Sequence, residues 1–254
     1  MPDTSDSLLP PVGMLFDGST THEEFCSLGE NFVNYFLINH ARIGPNDRIL
    51  DIGCGLGQKA RPLTRFLSSY GSYSGLDIVS EAIDWCREHY GAFPNFEFSV
   101  ADVFNQEYNP DGKVLAKNLV LPYPDESFDC VLLVSVFTHL LPDDVEHYFH
   151  EIARVTRRGA RTISTYFLFN DEARSHIRTG RIHFPFRKVR SVRKQVYRVT
   201  DPAVPEKAVA YEEDWVRALH LRNRLSIVEI TYGNWSGRTD LVRCLQDTII
   251  AVKE

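Results

Sequence analysis

The octet Leu50-Asp51-Ile52-Gly53-Cys54-Gly55-Leu56-Gly57 constrains this chain more than any other segment. It follows a short apolar run, residues 48–52, and leads into a helical pattern over residues 59–69. Glycines let a backbone turn tightly and approach a ligand without Cβ clashes. The helix that follows offers free N–H groups. A dinucleotide-binding turn looks similar but requires G-x-G-x-x-G. Here Gln58 stands where its last glycine would be, and the spacing is G-x-G-x-G. The Gly-Lys-Ser/Thr of a phosphate-binding loop is also missing. Gln58 and the forty-odd residues before the first strand disfavour a nicotinamide oxidoreductase.

Strand and helix patterns then alternate. Apolar or alternating runs at residues 73–78, 96–100, 128–135, 161–167, 225–232 and 248–252 read as strands. Helical spacing marks residues 23–41, 80–90, 142–157 and 212–223, with Phe25, Leu28, Phe32, Phe36 and Leu37 as the apolar stripe of the first. Ser80 is placed to cap its helix, and Pro142 suits a first turn. The expected fold is α/β: a doubly wound, mostly parallel seven-stranded sheet, its last strand antiparallel, with a basic insertion after strand five. Four regions are expected. Residues 1–44 form an N-terminal arm and helix, and 45–169 a cofactor-binding domain. Residues 170–210 form an inserted lid or substrate subdomain, and 211–254 a helix and closing strands of the same sheet.

The net charge of −6 argues against a nucleic-acid partner. Five dispersed cysteines with no C-x-x-C pair suit neither zinc nor a disulfide framework, so no metal and a reducing, cytoplasmic setting are expected. No signal peptide is read at the N-terminus. Apolar runs such as residues 131–134 are too short to span a membrane. The oligomeric state is not legible.

The motifs resemble those of class I S-adenosylmethionine-dependent methyltransferases. Asp51, Gly53, Cys54, Gly55 and Gly57 match the family's first motif. Asp77, followed by Ile78, matches the acid that binds the ribose hydroxyls. Asp102, followed by Val103, matches the residue that meets the adenine amine. The segment 121–129 and the strand ending at Ser135 resemble the fourth motif. The resemblance covers roughly residues 30–170 and implies S-adenosylmethionine as cofactor. It names no acceptor. A strand-end carboxylate suits a ribose diol in its own right, because it accepts two hydrogen bonds at the edge where such sheets bind ligands. Asp129, at the start of its strand, is expected to be structural.

Methyl transfer from a sulfonium needs mainly proximity and orientation. A hydroxyl acceptor must also lose a proton, and histidine suits that near neutral pH. His139, just past strand four, is the candidate base; capping or packing is its alternative role. His183 is a weaker candidate near the acceptor. Trp235, beside glycines in Tyr232-Gly233-Asn234-Trp235-Ser236-Gly237, either stacks on a substrate or plugs the sheet. That tail resembles bacterial methyltransferases of glycan or natural-product pathways. Residues 174–198 carry nine Lys or Arg and no acid, Arg187 among them. They read as a lid over an anionic or sugar-containing small molecule, or else as a solvated face or dimer contact. The expected activity is O-methylation. N-methylation of a small amine and a non-catalytic cofactor-binding partner protein are the alternatives.

Overall fold

A computed structural model describes residues 6–16, 18–181, 184, 186–188, 196–239 and 244–254. The chain divides into two compact units, residues 1–102 with 128–132, and residues 103–127 with 133–254.

The first unit opens with two short 3₁₀ turns, Asp6–Leu8 and Val12–Met14. The arm is anchored at two points: Leu8 is buried, and the Pro10 carbonyl lies 2.8 Å from His22 Nε2. Helix α1 (His22–Phe32) starts where the Thr21 hydroxyl accepts the Glu24 N–H. It runs straight into a π-helical stretch, Val33–His40. Val33, Phe36 and Leu37 are buried, while Leu28 of α1 faces solvent.

Strand β1 (Arg48–Ile52) follows a turn over Gly44–Asp47, which the Gly-Pro-Asn-Asp sequence favours, closed by Asp47 N–H to Gly44 O at 3.1 Å. Next come α2 (Ala60–Phe66), β2 (Ser72–Asp77), α3 (Ser80–His89) and β3 (Phe96–Val100). Ser80 does not cap α3. Val79 holds that position without a side-chain bond, and the Asp77 carboxylate takes the nearby Val79 N–H instead. β1 pairs parallel with β2, and β2 with β3.

The second unit holds the short pair β4 (Val103–Phe104) and β5 (Val114–Leu115). The chain returns through β6 (Phe128–Leu133), α4 (Pro142–Val155) and the eleven-residue β7 (Thr156–Tyr166). Asp129, in the first-unit part of β6, accepts the Arg48 N–H at 3.0 Å, the structural role expected of it. Phe137 stacks between Phe149 and Tyr166, with ring centroids 5.3 and 5.2 Å away.

The insertion is built around strands. β8 (Leu168–Phe169), α5 (Asp171–Arg178), β9 (Arg187–Lys188), β10 (Tyr197–Val199) and β11 (Val209–Glu212) follow in order. The strands form a sheet in the order β8-β11-β10-β9. β9 and β10 pair antiparallel, as the alternating apolar and basic residues suggest. α6 (Glu213–Arg222), β12 (Leu225–Thr231) and β13 (Asp247–Lys253) complete the chain.

The principal sheet has seven strands in the order β12-β13-β7-β6-β1-β2-β3. It is mostly parallel, and β13 runs antiparallel to both its neighbours. The strand order reverses at β1, which places the glycine loop at the switch point of the sheet. Among the described residues no helix is long and apolar enough to cross a membrane.

Candidate functional site

In the first unit, the carboxyl ends of β1 and β2 are tied to one another through the glycine loop. Gly53, Gly55 and Gly57 have φ of +78°, +53° and +76°. This is the left-handed region that side chains disfavour, so glycine is required at each. At Gly57 a Cβ would also lie 2.8 Å from the Tyr90 hydroxyl. Both Gly53 N–H and Cys54 N–H donate to the Leu76 carbonyl. Asp77 Oδ2 accepts the Gly55 N–H at 2.7 Å, and Oδ1 the Val79 N–H at 2.9 Å. The carboxylate that ends β2 thus clamps the loop that follows β1, and has acceptor capacity left for a diol. Burial raises its pKa against the pull of those N–H donors.

Asp51 is fully buried. Its Oδ2 accepts the Tyr73 hydroxyl at 2.7 Å, and its Oδ1 has no hydrogen-bond partner among the described residues. Burial pushes its pKa up to about 6, opposed by the positive field of Lys59. A buried carboxylate oxygen without a donor is unfavourable; a bound cationic group would satisfy it. S-adenosylmethionine offers both a ribose diol for Asp77 and an ammonium for Asp51, so the residues present fit that cofactor. Cys54 is buried, and burial raises its thiol well above the ordinary range, so it packs without being reactive. Ile78 directly follows Asp77 and is half-buried, whereas Asp102, two residues beyond β3, is exposed.

Sequence reasoning missed two residues of this cradle. Gly75 pairs with Asp51 in register, and a Cβ there would lie 2.9 Å from Cys54 Sγ and 2.8 Å from the Phe98 ring. A glycine inside a strand was the available signal. Lys59, next to the loop, is also buried. Nothing in the pattern distinguished it from a solvated lysine.

In the second unit, Val103 is buried in the β4–β5 pair. Ser135, past the end of β6, has φ +62°. Its N–H donates to Thr165 Oγ1 at 2.8 Å, and both hydroxyls donate to Gln246 Oε1. His139 lies in the 3₁₀ turn Phe137–His139. Its Nδ1 is 3.0 Å from the Glu206 carbonyl, which can only accept, so Nδ1 carries the proton and Nε2 keeps its lone pair. Tyr108 meets the ring edge-on at 5.2 Å. Burial lowers the His139 pKa, leaving a neutral imidazole at pH 7.

Trp235 corrects one expectation. It is fully buried against Phe167, Phe169 and Phe186, and its Nε1 donates to Asp247 at 2.6 Å. With no exposed surface left for a ligand to stack on, the plug reading replaces substrate stacking. Arg187 is exposed on β9, and His183 lies outside the described residues. Among the described residues, two of the nine basic residues are paired with an acid. Arg174 and Arg198 both pair with Glu212, and Arg198 lies over the Phe169 ring at 4.2 Å. Among the described residues no group of His, Cys, Asp or Glu could hold a metal.

Comparison with known proteins agrees with this geometry. Residues 50–164 match a family described as a methyltransferase domain. A probable cobalt-precorrin-6B C(15)-methyltransferase (decarboxylating) from Thermoplasma acidophilum is 27% identical over 140 residues, 53% of this chain and 61% of that protein. A 27-O-demethylrifamycin SV methyltransferase from Amycolatopsis mediterranei is 30% identical over 122 residues, 48% of this chain and 39% of that protein. The chain thus spans less than two thirds of the length of these relatives. A crystal structure of an S-adenosylmethionine-dependent methyltransferase from Methanosarcina mazei superposes with a TM-score of 0.57 at 23% identity, covering 86% of this chain and 97% of that one. The fold is that of class I methyltransferases, and S-adenosylmethionine is the cofactor these findings support.

Proposed function

We propose that this chain, which carries a methyltransferase domain on the class I fold, methylates a hydroxyl oxygen of a small acceptor with His139 as general base. S-adenosylmethionine supplies the activated methyl group when bound. Everything else falls to the chain. Asp77 and the glycine loop orient the nucleoside, Asp51 takes the cationic amino-acid end, and His139 removes the acceptor's proton.

The observation that carries this reading is the state of His139. The Glu206 carbonyl fixes one tautomer, and burial keeps the ring neutral, so Nε2 is a ready proton acceptor at neutral pH. An amine acceptor would need no such group. A base adds about 10²–10⁴ in rate when well positioned.

The acceptor proposed is a small molecule, anionic or sugar-containing. The excess of positive charge in residues 174–198 supports it, because such charge raises the local concentration of phosphate or carboxylate groups. Arg187 is the described residue chosen to meet that acceptor, and residues 170–210 would act as its lid. The pairing of Arg174 and Arg198 with Glu212 reduces the charge available. The relative named for a demethylrifamycin substrate is in keeping with a natural-product acceptor. Five free cysteines fit a cytoplasmic setting.

The test is transfer of labelled methyl from S-adenosylmethionine to a library of hydroxyl, amine and carbon acceptors, with wild type and His139→Gln side by side. Label on hydroxyl acceptors, lost in the variant, is the expected outcome. Label confined to amines, or full activity in the variant, would refute the reading.

A further inference from the structure

Lys59 lies two residues past Gly57 of the glycine loop, is the last residue before α2, and is only 5% exposed. Among the described residues its ammonium makes no hydrogen bond and no ion pair, unlike the neighbouring Arg61, which pairs with Glu30 at 3.1 Å. With its stem buried, the ammonium is left to solvent or to a ligand for its hydrogen bonds. The residues whose charge it feels are Asp51 and Asp77. Asp51 has the complementary defect, a buried Oδ1 with no donor. The cradle therefore holds one cation without a partner among the described residues and one buried anionic oxygen without a donor, and these have not closed on one another.

An amino-acid zwitterion repairs both defects at once. We infer that Lys59 binds the carboxylate of the amino-acid end of S-adenosylmethionine while Asp51 Oδ1 takes its ammonium. The inference rests on the cofactor reading above. The charge count agrees: Asp51, Asp77 and Lys59 sum to one net negative charge when both acids are ionised. A sulfonium, an ammonium and a carboxylate sum to one net positive charge. A cradle without Lys59 would hold two negative charges and leave the carboxylate facing only like charge, which disfavours the amino-acid end. A lysine that merely neutralised Asp51 and Asp77 would act on every ligand of the cradle alike, and this separates the two roles.

Calorimetry with two ligands makes that separation. S-adenosylhomocysteine carries the amino-acid end, and 5′-methylthioadenosine has the same nucleoside and sulfur without it. Lys59→Met should weaken S-adenosylhomocysteine about ten- to a hundredfold, the range for one charge-assisted hydrogen bond. It should leave methylthioadenosine within about twofold. Equal losses for both ligands, or an unchanged affinity for S-adenosylhomocysteine, would overturn the assignment. A second comparison needs no variant. Wild type should bind decarboxylated S-adenosylhomocysteine more weakly than the parent by a similar factor, and equal affinities would overturn it as well. Wild type that binds neither nucleoside would bring down the cofactor reading itself, and this assignment with it.

Discussion

Asp77 Oδ2 accepts the Gly55 N–H at 2.7 Å, so the acid ending one strand holds the loop that ends its neighbour. The acid proposed to bind the ribose and the glycine loop are therefore one mechanical unit. Asp77→Asn places an amide nitrogen against a backbone donor and leaves that buried N–H without an acceptor. We expect a stability loss of about 1–3 kcal/mol, or a fall in Tm of a few degrees for a chain this long. Affinity for S-adenosylhomocysteine should fall at least tenfold. Differential scanning fluorimetry and calorimetry check the two together. A variant with intact affinity would separate the loop's support from ligand binding.

The lowered pKa of His139 makes its own prediction. As the proposed base it would work only when neutral, so kcat/KM should rise with pH through a limb lying below the ordinary histidine value of about 6.5. His139→Gln should abolish that limb along with most of the turnover, and leave S-adenosylhomocysteine affinity unchanged. A limb retained in the variant would assign it to another group.

His220 governs acid stability. It is buried, 3.5 Å from the Tyr166 hydroxyl, and burial pushes its pKa down to about 3. Between pH 6.5 and 3 the unfolded chain takes up a proton there and the folded chain does not, so this residue destabilises the fold as pH falls. Asp247 works in the opposite sense. Burial raises it to about 7, so its contribution is largest in acid and is lost as pH rises through 7. Wild type combines the two, and His220→Phe removes only the first. The stability of the variant relative to wild type should therefore climb between pH 7 and pH 4, by an amount on the order of a few kcal/mol, read as a widening Tm difference. A constant difference across that range would show that His220 is not the titrating group.

Trp235→Phe keeps an aromatic plug but removes the Nε1 donor to Asp247. Denaturant unfolding should show a loss of about 1.5–3 kcal/mol, because the partner is a buried carboxylate. S-adenosylhomocysteine affinity should stay at the wild-type value. A stable variant with weakened acceptor binding would restore the stacking role.

The principal sheet was legible because each of its strands is a local apolar run bounded by turn residues, and each helix a local period. The π-helical stretch was not, since an apolar stripe at 3.6 spacing looks the same until packing selects Val33 over Leu28. The sheet of β8, β9, β10 and β11 was legible only in its hairpin. Strands as short as Leu168–Phe169 carry no period of their own and exist through their partners.

The site divides along the same line. The chain's order of residues alone determined the glycine loop and the acid at the end of β2, because positive φ and a strand-end carboxylate are demands on single positions. Tertiary structure decided whatever depends on neighbours distant in sequence. It buried Trp235 against Asp247, turned Arg174 and Arg198 onto Glu212, and set the His139 tautomer through a carbonyl 67 residues away. It also withdrew Lys59 from water. A lysine's sequence neighbours do not report its solvation, and solvation decides whether its charge is an idle surface group or a binding group in want of an anion.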